Sequence, residues 1–164
     1  MSRYSRATSS LPDTIPMPQP WRERGLLTPD LRDQMLQLAA NGAARLGDLE
    51  GAEPARVVAA IHQRVGAVRP LAGADLEEES SALGCLWGEQ ACVALGWTWV
   101  VLARDGEEAY AIVPADRRFA VFPTVFMFSK LKARAGENTV QLLFDLLAAG
   151  DVPDSPPGSY TLLN

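Results

Sequence analysis

Leu83-Gly84-Cys85-Leu86-Trp87-Gly88-Glu89-Gln90-Ala91-Cys92-Val93-Ala94-Leu95-Gly96-Trp97-Thr98-Trp99-Val100-Val101-Leu102 is the stretch that decides the fold. Its first half is apolar on nearly every side at helical spacing. That predicts a helix buried at the centre of the molecule. Gly96 is a good left-handed stop for it. The second half is rich in Trp and Val and predicts a strand. Asp105-Gly106 follows as a two-residue hairpin turn, and Glu108 to Val113 returns. After a turn over Pro114 to Arg118, Phe119 to Phe122 reads as a third strand. A buried helix feeding a short antiparallel meander predicts an α+β domain.

The flanks extend this outline. Thr28 caps a first helix with Pro29 at its first position. Leu31, Met35, Leu38 and Leu46 share a face of that helix, and Gly42 weakens its later half. A second helix runs from Pro54 to Val68 with Val57, Val58, Ile61 and Val65 inward. Pro70 ends it. Asp75 and Glu78 form a capping-box-like pair opening the central helix, with Glu77 to Glu79 favoured by its dipole. Gly84 and Gly88, one turn apart, offer a strip for close approach. Helices from Pro123 or Thr124 to about Ala135, and from Asn138 to Ala149, complete about five helices on a three-stranded sheet. Residues 1–25, with Pro12, Pro16, Pro18 and Pro20, read as a flexible arm in which Trp21 docks on the domain. Residues 26–150 form the single globular domain, and 151–164 a tail that docks or hangs free.

Composition narrows the function. The 164 residues are 48% hydrophobic, enough for one domain with a real core. A net charge of -5 argues against nucleic-acid binding. No run reaches the length of a membrane span and no apolar leader opens the chain, so a soluble cytoplasmic protein is expected. His62 is the only histidine, and Cys85 and Cys92 are the only cysteines. That set supplies neither a zinc site nor a recognisable nucleophile pair, and no phosphate-binding glycine loop is present. No catalytic residue, cofactor or metal is assigned. The cysteines, about two helical turns apart, are expected to be reduced core residues.

Two groups of residues remain as candidates. The acids Asp75, Glu77, Glu78 and Glu79, with Asp105, Glu107 and Glu108 at the hairpin tip, form an acidic surface suited to a basic protein partner. The other candidate is Glu89, on the cysteine stripe of the central helix. It is expected to be a hydrogen-bonded core carboxylate paired with Arg104 or Arg118. The alternative places it in a pocket lined by Trp87 and Trp99, as a ligand-binding or acid-base group.

Leu83-Gly84, Gly88-Glu89, Gly96-Trp97-x-Trp99-Val100, Val121-Phe122-Pro123 and Ser129-Lys130, in that order, resemble a family of small bacterial domains of unknown function. The likeness covers about Ala82 to Leu147. It implies a cytosolic α+β domain with no established activity. The expected function is therefore a non-catalytic protein-binding domain. Its sharpest version is a cytosolic immunity protein that neutralises a basic toxin domain by occlusion. A homodimer face drawn from Phe119 to Phe128 and Leu142 to Leu147 is a further expectation.

Overall fold

The structure is a computed structural model and describes residues 20–164. Strand β1 (Arg22–Leu26) leads into helices α1 (Pro29–Ala44), α2 (Pro54–Val68) and α3 (Gly73–Leu95). The hairpin of β2 (Thr98–Arg104) and β3 (Glu107–Val113) follows, then β4 (Phe119–Ala120), α4 (Pro123–Lys132), α5 (Val140–Ala149) and β5 (Thr161–Leu162). The fold is α+β, with five helices and a three-stranded antiparallel sheet of order β1-β2-β3.

α3 is the central element, packed by α1, α2, α4 and α5. Its buried residues include Leu76, Leu83, Leu86 and Trp87, and Gly96 closes it in the left-handed conformation. Close packing depends on glycine at three points. A Cβ on Gly42 of α1 would stand 2.5 Å from the Ala82 carbonyl oxygen, so this residue is the α1–α3 contact rather than only a weak point of its helix. A Cβ on Gly84 would stand 2.7 Å from the Thr124 Cα at the start of α4. Gly88 leaves room for the Trp99 ring and for Pro123.

The first helix starts as expected, with the Thr28 hydroxyl accepting from the Leu31 amide at 3.3 Å. The capping box at Asp75 and Glu78 does not form. α3 begins three residues earlier than that box would start it, at Gly73, with Ala72 at the cap position and no side-chain cap. Asp75 therefore falls inside the first turn, and Glu78 reaches across to the Arg45 guanidinium at 3.0 Å.

The third strand of the sheet is not the one the meander required. β1 pairs with β2, with Glu23 opposite Leu102 and Leu26 opposite Val100. Residues 22–25, expected in the arm, are thus part of the sheet; residues 1–19 lie outside the described residues. The chain instead leaves the sheet at the turn before β4, where Arg117 adopts a φ of 57°. Only a single bridge, Ile112 to Val121, joins the Val121 region back to β3. β4 pairs in parallel with β5, which docks the C-terminal segment.

The hairpin itself forms as expected, with Asp105 and Gly106 both at positive φ. Its register sets Trp99 opposite Ile112 and Val100 opposite Ala111. Alternation then divides the apolar residues between two cores. Trp99 and Ile112 join the helical core. Val100, Leu102, Ala111 and Val113 face a second cluster with Ala120 and Phe122, covered by Trp21 and Tyr160. Trp21 packs on Phe122 at 4.9 Å between ring centroids, and Arg104 stands 4.2 Å over the Trp21 ring. Glu23 ties this side together by accepting from Arg117 Nε at 2.9 Å and from the Tyr160 hydroxyl at 3.3 Å.

Candidate functional site

Glu89 sits near the C-terminal end of α3, where the helix passes between α1 and the first residues of β2. Its carboxylate is taken on both oxygens. Arg32 of α1 donates from Nη1 to Oε1 and from Nη2 to Oε2, the second at 3.1 Å. The Trp99 indole donates to Oε1 at 2.9 Å. The Glu89 side chain is 14% exposed and that of Arg32 is 38% exposed. The expectation of a hydrogen-bonded carboxylate linking helix and sheet holds, but its partner is neither Arg104 nor Arg118. Arg104 projects to the opposite face of β2, over Trp21, and Arg118 pairs with Asp116 at 3.0 Å. The 57-residue separation of Arg32 and Glu89 left no local signal for this pair.

The pocket expected around Glu89 is also rearranged. Trp87 is fully buried, stacks near Phe126 at 5.4 Å and donates its indole N–H to the Val140 carbonyl at 3.0 Å. It is a core residue and does not face Glu89's groove. Trp99 does, and its companion is Trp97. The groove has a volume of about 330 Å³ and is bounded by Leu26, Leu27, Arg32 and Cys92 besides the two tryptophans. Glu89 lies behind Arg32 rather than in the lining.

The electrostatics follow from this arrangement. Hydrogen bonding to Glu89 raises the Arg32 pKa against the opposing effect of burial. Burial, and then the Glu89 charge, push the Cys92 thiol up to about 12. The same causes push Cys85 up to about 12. Thiols held this firmly protonated are poor nucleophiles at neutral pH.

The acidic candidates separate into three kinds. Asp75 and Glu77 are exposed and make no ion pair among the described residues. Glu78 is exposed but engaged by Arg45. Glu79 is buried and accepts from Arg45 Nε at 2.9 Å and Arg64 Nε at 2.6 Å, so it cannot contact a partner. Its position three residues after Leu76 and four before Leu83 was the available signal, because that spacing places it on the buried face. At the hairpin tip, Asp105, Glu107 and Glu108 are exposed, yet Arg22, Arg24 and Arg104 gather beside them and Arg24 approaches Glu108 to 3.7 Å. The tip is therefore a mixed-charge surface.

One further surface was not anticipated as a unit. Glu77, Ser80 and Ser81 of α3 and Thr124, Val125 and Phe128 of α4 line a groove of about 370 Å³. Val125 is 61% exposed and Phe128 is 37% exposed. The bare sequence assigned this part of α4 to an apolar run, and only the packing of α3 on its other side reveals which residues are left outside. Among the described residues, no helix is long and apolar enough to cross a membrane. Comparison with protein-family models, with curated proteins and with solved structures finds no match to this chain.

Proposed function

We propose that the chain is a non-catalytic protein-binding domain that uses the α3–α4 groove as its contact surface. The observation that carries this reading is the placement of exposed Val125 and Phe128 beside the unpaired Glu77. Apolar anchors with a charged rim are the usual anatomy of a protein contact. Asp75 faces a different groove, with Arg45, Arg64, Glu78 and Glu79, and takes no part in this surface. The fitting partner is a basic surface that carries an apolar side chain into the groove. The narrowest version is an immunity protein that occludes a basic toxin domain in the cytosol. The competing reading, an enzyme or ligand binder built on Glu89, receives less support, because both carboxylate oxygens are engaged and Trp87 faces elsewhere.

The test is capture from lysate of the native host by the full chain, beside a Glu77→Lys/Phe128→Asp variant. A stoichiometric basic partner should bind the wild type, associate more slowly as salt rises, and be lost with the variant. A partner retained equally by both proteins, or one whose association ignores salt, would remove this surface from the function. Self-association abolished by the same variant would replace the foreign partner with a second copy.

A further inference from the structure

The groove at the start of β2 shares no residue with the α3–α4 surface. Arg32 is the one charged residue in its lining, and the Cys92 thiol, pushed up to about 12, remains protonated at neutral pH. Glu89 stands behind the guanidinium and accepts one hydrogen bond from each terminal nitrogen. The Trp99 indole donates to the same carboxylate, so Glu89 is fixed from two sides. A guanidinium has more N–H donors than one carboxylate can take. Arg32 Nε, and the remaining hydrogens of Nη1 and Nη2, donate to no group among the described residues.

Position selects the ligand's charge. The Glu89 side chain is 14% exposed and that of Arg32 38%, so the cation is the member of the pair nearer the groove. An anion arriving there meets the guanidinium first and the Glu89 carboxylate only beyond it, and the nearer charge dominates. Arg45, on the same helix, shows that one guanidinium can hold two carboxylates: its Nε donates to Glu79 and its Nη2 to Glu78. Arg32 has only the first of its two. Leu26, at 66% exposure, Leu27 and Trp97 supply apolar walls, and a volume of about 330 Å³ admits only a small ligand. We infer that this groove binds a small organic carboxylate, its oxygens on the Nε edge of Arg32 and its apolar part against Leu26 and Trp97.

Phenylacetate, phenylacetamide and acetate separate the two requirements, since the amide keeps the body without the charge and acetate keeps the charge with almost no body. Each is titrated at fixed ionic strength into the full-length protein while the indole N–H resonances of Trp97 and Trp99 are followed by NMR. Phenylacetate should shift both resonances saturably with a Kd of about 1 mM, as suits a fragment of this size. Phenylacetamide and acetate should each bind at least roughly tenfold more weakly. Arg32→Gln/Glu89→Gln removes both charges together, leaves no carboxylate unpaired, and should lower phenylacetate to the level of the amide. Leu26→Ser alters an exposed side chain, keeps the test available if the double variant unfolds, and should weaken phenylacetate several-fold. The Glu77→Lys/Phe128→Asp variant should bind it unchanged. No saturable shift from phenylacetate, binding of the amide or of acetate as tight as phenylacetate, or a phenylacetate affinity untouched by the folded groove variants would overturn the site.

Discussion

Gly84→Ala tests the central packing of the molecule, and its cost can be worked from the contacts. The new Cβ would lie 2.7 Å from the Thr124 Cα, 2.9 Å from the Pro123 carbonyl oxygen and 3.0 Å from the Thr124 amide nitrogen. All three neighbours are backbone, so no side chain can rotate away. The first turn of α4 must move off α3 by several tenths of an ångström. Overpacking of this kind costs about 1–3 kcal/mol, and the absence of any flexible neighbour argues for the upper end. Replacing a mid-helix glycine with alanine returns about 1 kcal/mol through helix propensity. The net expectation is a loss of about 2 kcal/mol, or a fall in Tm of about 4–8 °C for a chain of this size. Gly66→Ala is the internal control. Gly66 is exposed on α2, and its Cβ would meet only the Asn138 side-chain nitrogen, at 3.7 Å. The same substitution there should stabilise by about 0.5–1 kcal/mol. Urea unfolding of the two variants, with slopes checked for two-state behaviour, gives both signs in one experiment. If Gly84→Ala is neutral or stabilising like Gly66→Ala, the argument that α3 and α4 touch through backbone at this point is wrong.

Two further expectations concern the buried charges and thiols. Glu79→Gln should cost about 3 kcal/mol, because it leaves two largely buried arginines facing a neutral amide. Glu89→Gln should cost only about 1–2 kcal/mol, since Arg32 is more exposed and can turn to water while the amide oxygen still accepts from Trp99; chemical denaturation that ranks the pair in the opposite order would refute the assignment of burial. The thiols of Cys85 and Cys92, raised from an ordinary 9.0 to about 12, are protonated in the fold where the unfolded chain would ionise. Their contribution to stability is complete below pH 9 and is lost as pH rises toward 12. Iodoacetamide at pH 8.5 should accordingly modify both cysteines far more slowly in the native protein than in urea, and native modification of the partly buried Cys92 at the unfolded rate would contradict the raised pKa of its thiol.

The contrast between Glu79 and Glu77 explains why function was harder to read than fold. Both belong to one acidic run, and at the level of composition both belong to an acidic surface. One is a buried structural anion and the other a free surface charge, because a helix turns neighbouring residues to different faces. The same holds for Val125 and Phe128, which look like core residues until α3 occupies the opposite side of α4. Glu89 stood out correctly as an acid on an apolar stripe. What it bonds to was set by α1, more than fifty residues away along the chain.

Local chemistry determined a good deal by itself. The cap at Thr28, the stops at Gly96 and Gly150, the Asp105-Gly106 turn, the close-approach glycines of α3 and the α+β class all follow from propensity and periodicity over a few residues. Tertiary structure alone decided that β1 rather than β4 completes the sheet, that Arg32 meets Glu89, and that the C-terminal strand pairs with β4. Strand pairing and long-range ion pairs depend on which distant surfaces remain uncovered once the helices have packed. No short window of sequence carries that information, because the hydrogen-bonding groups of one edge strand are chemically the same as those of any other.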